Sequence, residues 1–156
     1  MARLKVAVLA NLKQNAPKFQ GMVDDHWDDL DSESTVSALM EAIQAGGHAA
    51  AFFEGDADLV SHLRGYQPDL CFNICEGHFG DGREAQVPAL LEMLRLPYTG
   101  SRVMTLALAL DKPMTKRVMM WPDLPTPAFP SFEDPDEPLD DDMHFPLFVM
   151  PSRAGT

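Results

Sequence analysis

The chain has 156 residues, of which 46% are hydrophobic, and carries a formal net charge of −12. That length holds one core-bearing domain with little left for a second. The negative charge repels a phosphate backbone and an anionic membrane, which argues against nucleic acid and membranes as partners.

No apolar run reaches the ~18 residues of a membrane span. The start, Met-Ala-Arg-Leu-Lys, leads straight into an apolar strand with no small-residue cleavage site. The sequence therefore predicts no secretory leader and a cytoplasmic location.

Residues 4–10 (L-K-V-A-V-L-A) read as a first strand. Residues 11–31 are polar and irregular, with Pro17 and Gly21 inside. A loop of that length is usually functional or disordered. Ser32 to Ser34 offer an N-cap, and Val36, Leu39, Met40 and Ile43 form a helical stripe that Gly46 and Gly47 end. Residues 48–54 read as a second strand, and 56–64 as a short helix closed by Gly65.

The stretch 69–101 holds the third strand (69–75), a loop (76–82) with three glycines, and a helix (83–96). In that helix Val87, Leu90, Leu91 and Leu94 share one stripe, and Pro97 and Gly100 punctuate its exit. Cys71 and Cys75 both fall in the proposed strand. Four strand residues span roughly 13 Å. A disulfide needs Cα atoms within ~7 Å. Two free, buried thiols are expected.

After Ser101 the run V-M-T-L-A-L-A-L suits a helix. Asp111-Lys112-Pro113 then starts another, with Asp111 as N-cap and Pro113 in the first turn. Prolines 122, 125, 127 and 130 mark an extended connection. Residues 133–142 are acidic and without periodicity, which predicts a solvated linker. Residues 145–150 are a last strand candidate. The alternation of strands and helices predicts an α/β fold, a parallel sheet with helices on both faces. Ligands of such sheets sit at the carboxyl ends of strands, here the loops beginning at Asn11 and Glu76.

Glu76, Gly77 and Arg83 are the candidate site residues of the second loop. Glu76 would face a ligand ammonium or hydroxyl, and the helix start at Arg83 would offer N–H groups to an anion. The plain alternative is a tight loop with an Arg83–Glu84 surface pair. The run Asp24-Asp25-His26-Trp27-Asp28-Asp29 has the composition of a cation site, but in so acidic a chain it reads as a solvated face. Lys112 and Lys116, four apart on one helix, suit either a phosphate or plain solvent.

Taken in order, F-N-I-C-E-G, G-R-E-A-Q-V-P-A-L-L-E-M-L, P-Y-T-G-S, L-A-L-D-K-x-x-T-K, P-T-P-x-F and F-P-L-F-V-M-P-S-R resemble the amino-terminal part of D-alanine–D-alanine ligases and their ATP-grasp relatives. The resemblance implies a Rossmann-like pre-ATP-grasp domain over residues 1–121. Residues 122–156 would be the linker and the start of the central ATP-grasp domain. It implies ATP- and Mg²⁺-dependent carboxylate–amine ligation in the parent family, which serves peptidoglycan biosynthesis. Loops after the first and third strands would bind a small amino acid. Asp28, Glu76, Gly77 and Arg83 stand at the corresponding substrate-side positions, and Lys112 at a lysine that contacts nucleotide.

Glu76-Gly77 replaces the family's common His-Gly, Met150 stands at a second nucleotide lysine, and Ala154 at a usual glutamate. The chain is expected to be inactive alone, to bind no cofactor, and to form a homo-oligomer. The alternative expectation is a non-catalytic binding or assembly module.

Overall fold

Strand β1 (Lys5–Ala10) is the centre of the sheet, and all its residues after Lys5 are buried. The computed structural model describes residues 2–153. Strands β2 (Ala49–Glu54) and β3 (Leu70–Asn73) flank β1 in the order β2-β1-β3, both parallel to it. A run such as V-A-V-L suits this place because a central parallel strand has both faces covered.

Successive side chains alternate between faces. Ala7 and Leu9 of β1 join Cys71, Leu59 and Leu63 of helix α2 (Leu59–Tyr66), and Val87 and Leu91 of helix α3 (Arg83–Leu94), in one core. Val8 and Ala10 point the other way, onto Val36, Leu39, Met40 and Ile43 of helix α1 (Glu33–Ala45). The register places Val8 beside both Phe52 and Phe72 in that second layer. Helices therefore cover both faces, as the alternation predicts.

The helix starts follow their caps. Ser32 Oγ accepts from Thr35 N at 3.2 Å at the start of α1. Helix α4 (Val103–Leu110) runs into helix α5 (Lys112–Met120), where Asp111 Oδ1 accepts from Met114 N at 2.9 Å. Gly47, with φ +87°, turns the chain from α1 into β2.

The structure departs from the sequence reading in several places. α2 runs through Gly65 to Tyr66 and stops at Gln67, which takes the left-handed conformation with φ 52°. α3 stops at Leu94, before a left-handed Arg95. β3 ends at Asn73, so Cys75 lies just past the strand; both cysteines are free and buried. Residues 145–150 form no strand: Phe148 and Val149 are 86% and 92% exposed, and no neighbouring strand offers them a ladder.

The long loop 11–31 is ordered by its own small core. Trp27 packs with Ala16 and Leu30, and its indole N–H donates to the Pro17 carbonyl at 2.9 Å. A parallel bridge between Leu12 and Asp31 closes the loop's neck. No helix among the described residues is long and apolar enough to cross a membrane.

Candidate functional site

The carboxyl ends of the three strands converge on Asn11, the first residue past β1, which is 1% exposed. Its amide donates to the Gly55 carbonyl at 3.0 Å, just past β2. Its Oδ1 accepts from Gly77 N at 2.9 Å, past β3. One buried side chain thus ties the three strand ends together. Glu54 supports it from the side, accepting from Leu12 N at 2.8 Å and from Asn15 Nδ2 at 2.7 Å.

Gly77 sits here for two physical reasons. Its φ is +73°, a conformation that L side chains rarely adopt, and a Cβ would lie 2.7 Å from the Arg83 carbonyl oxygen. The loop after β3 therefore folds tightly back onto the start of α3. Arg83 turns inward there: its Nη2 lies 3.3 Å from Asp29 Oδ2, and the two side chains are 12% and 18% exposed. Its Nη1 donates to the Arg153 carbonyl at 2.7 Å. The surface pairing of Arg83 with Glu84 read from the sequence is replaced by this inward pair.

Glu76 is half-buried beside this group. Burial first, then the nearby carboxylates of Glu84 and Asp29, push its carboxyl up to about 7 against the opposing pull of Arg83. Asp31, lifted by burial, adds to the same charge. A carboxyl near 7 can hold or release a proton at neutral pH.

Beside Arg83 opens a cleft of about 740 Å³ between loop 19–29 and loop 78–83. Its wall is a run of edge-to-face rings: Phe19 on His26 at 5.0 Å, His26 on Trp27 at 4.4 Å, and Trp27 on His78 at 5.4 Å. Asp29 Oδ1 and His78 Nε2, both enclosed, have no hydrogen-bond partner among the described residues. Arg153 crosses one side of the cleft, its Nη1 3.0 Å from Asp81 Oδ2 and its Nε 2.9 Å from Asp111 Oδ2.

The structure brings Glu76, Gly77 and Arg83 together. Asp28 lines the same cleft but points outward, and pairs with Lys13 at the surface. Its neighbour Asp29 is the residue that reaches Arg83. Lys112 lies at the start of α5, where its backbone N–H donates to the Ser152 carbonyl at 3.0 Å. Among the described residues no three His, Cys, Asp or Glu side chains gather into a group that could hold a metal. Ala154 lies outside the described residues.

Sequence reasoning missed Asn11, Asp29 and Glu54. An asparagine at the end of a fully apolar strand was the available signal for the first. For Asp29 it was a tryptophan next door, whose burial turns the chain inward.

Three parallel strands with a glycine loop after the third, and carboxylates facing one arginine at the strand ends, define an α/β domain with a charged cluster at the carboxyl ends of its strands. No protein-family model matches the chain. The D-alanine–D-alanine ligase of Methylibium petroleiphilum is 41% identical over 126 residues, 76% of this chain and 38% of that ligase. The ligase of the same name from Moorella thermoacetica is 41% identical over 93 residues, 60% of this chain and 29% of that protein. Among solved structures, the Bacillus anthracis D-alanine–D-alanine ligase complexed with ATP matches with a TM-score of 0.57 and 16% identity, covering 89% of this chain and 43% of that one. That likeness shows the fold. The chain is a homologue of D-alanine–D-alanine ligases, and its matches cover 29% and 38% of the length of these two curated relatives.

Proposed function

We propose that this chain is the substrate-side, pre-ATP-grasp domain of an ATP-dependent carboxylate–amine ligase, acting on a small-molecule amino-acid substrate in the cytoplasm for peptidoglycan biosynthesis. The observation that carries this reading is the 41% identity to a D-alanine–D-alanine ligase over 126 residues. In this role Glu76 and Arg83, held by the Gly77 turn, stand beside the amino-acid cleft, Asp28 borders it, and Lys112 approaches nucleotide phosphate.

The donors for ATP and Mg²⁺ are sparse. Asp111 already takes the Met114 N–H at the start of α5, and the Lys112 N–H donates to the Ser152 carbonyl, so this helix start offers few open N–H groups to a phosphate. Met150 has no proton to donate. No metal-holding group exists among the described residues. No step through nucleotide or metal is therefore assigned to this chain, and alone it should be inactive. The test is phosphate release with ATP, Mg²⁺ and D-alanine, which should stay at the buffer rate. Magnesium-dependent release above that rate, abolished by Lys112→Ala, would overturn the proposal.

A second reading, a non-catalytic assembly module that forms a homo-oligomer, is favoured by the apolar surface at Met104, Trp121, Phe148 and Val149, 83% to 92% exposed. Sedimentation at rising concentration tests that surface: self-association is expected, and a persistent monomer counts against it.

A further inference from the structure

We propose that the cleft beside Arg83 takes an α-amino acid with an aromatic or large apolar side chain rather than alanine; this rests on the amino-acid ligase reading above. The inference starts from size. A cleft of about 740 Å³ falls within the range of roughly 300–1,000 Å³ that holds drug-sized ligands, and the methyl of alanine would leave most of it wet.

The lining points the same way. Phe19, Val23 and Phe79 are 47%, 59% and 61% exposed, and all three face this one cleft. Scattered apolar side chains on a surface need no explanation, but three converging on one concavity form a ligand wall. Behind them Trp27 is buried and held by its bond to Pro17, so the wall has a rigid back. Phe79 stands edge-on to Trp27 at 6.2 Å and Phe19 at 6.4 Å, which leaves ring faces and edges available to a further ring.

Charge complements a zwitterion at the rim. Arg83 is occupied by Asp29 and by the Arg153 carbonyl. The Arg153 guanidinium is half-exposed; Asp111 holds its Nε, while its Nη1 pairs with Asp81, which is 81% exposed, so that outer pair can yield to a ligand carboxylate with little loss. Asp25 and Asp28 stand on the same rim for the ammonium.

The test is calorimetric titration of this chain with D-alanine, D-phenylalanine and phenethylamine. Burying a phenyl ring should make D-phenylalanine bind roughly tenfold or more tightly than D-alanine. Phe19→Ala and Phe79→Ala, both at exposed positions, should remove that advantage. D-Alanine binding as tightly as D-phenylalanine would overturn the size preference and leave the ligase reading standing. Phenethylamine binding as tightly as D-phenylalanine, or no binding of either amino acid, would overturn the amino-acid site itself.

Discussion

Replacing Asn11 by alanine tests whether one side chain holds the three strand ends. The substitution removes two hydrogen bonds, to the Gly55 carbonyl at 3.0 Å and from Gly77 N at 2.9 Å. The Gly77 amide is buried and loses its partner outright, which costs about 1–3 kcal/mol. The Gly55 carbonyl is partly exposed and can recruit water, so its share is about 1 kcal/mol. The sum is about 2–4 kcal/mol. For a domain of this size each kcal/mol shifts the midpoint by about 2–4 °C, so thermal unfolding followed by circular dichroism should show a drop of about 4–16 °C. Asn11→Asp is the discriminating control. It has nearly the same shape and keeps the acceptor for Gly77 N, but it cannot donate to Gly55 and adds a charge near Glu54, Asp31 and Glu76. It should be at least as unstable as the alanine variant. An alanine variant within about 0.5 kcal/mol of the parent, the usual range for an unremarkable surface change, would refute the reasoning.

Three further outcomes follow from the same geometry. Gly77→Ala should lose about 2–4 kcal/mol in urea unfolding, because it combines a positive φ with a contact against the Arg83 backbone; a loss under 1 kcal/mol would count against the close approach. Glu76 has a folded value raised to about 7 from 4.5, so the native state holds its proton longer than the unfolded chain does. Its contribution must therefore fall as pH rises from about 4.5 to 7, by about 1–2 kcal/mol once solvent screening of a half-buried group is counted, and Glu76→Gln should flatten that slope. Cys71 is buried, its thiol pushed up to about 11, and burial raises Cys75 as well, so neither should react with a thiol reagent at pH 8 until the chain is unfolded.

The local physics of the chain was legible, and its long-range pairing was not. β1 declares itself by an apolar run, α1 by its stripe and Ser32 cap, and α5 by Asp111 and Pro113. Each needs only neighbours within a turn or two. Gly65 misled because a helix end depends on where the next strand must begin, and here Gln67 took the left-handed turn instead. Residues 145–150 have the composition of a strand, but composition cannot supply the partner that a ladder requires. At the site, Glu76, Gly77 and Arg83 lie within eight positions of one another and were found together. Asp29 and Asn11 lie 54 and 66 positions from their partners Arg83 and Gly77, and only the strand order β2-β1-β3 brings them there. Asp28 and Asp29 look alike in the sequence; the burial of Trp27 decides which of them faces inward.

That choice gives the last prediction. Arg83 favours the ionised form of Glu76, against the carboxylates of Glu84, Asp29 and Asp31, and its Nη2 is committed to Asp29. Asp29→Asn should act on Glu76 through charge. It deletes a negative charge that favours the protonated form, so Glu76 should titrate below its parent value of about 7. Asp28→Asn removes the same formal charge from the surface pair with Lys13, and should leave Glu76 close to where it was. Carbon-detected NMR of the Glu76 carboxyl across pH 4 to 9 reads both variants directly. If Asp28→Asn moved the titration as far as Asp29→Asn does, the inward pairing of Arg83 would not be what sets the charge at the strand ends.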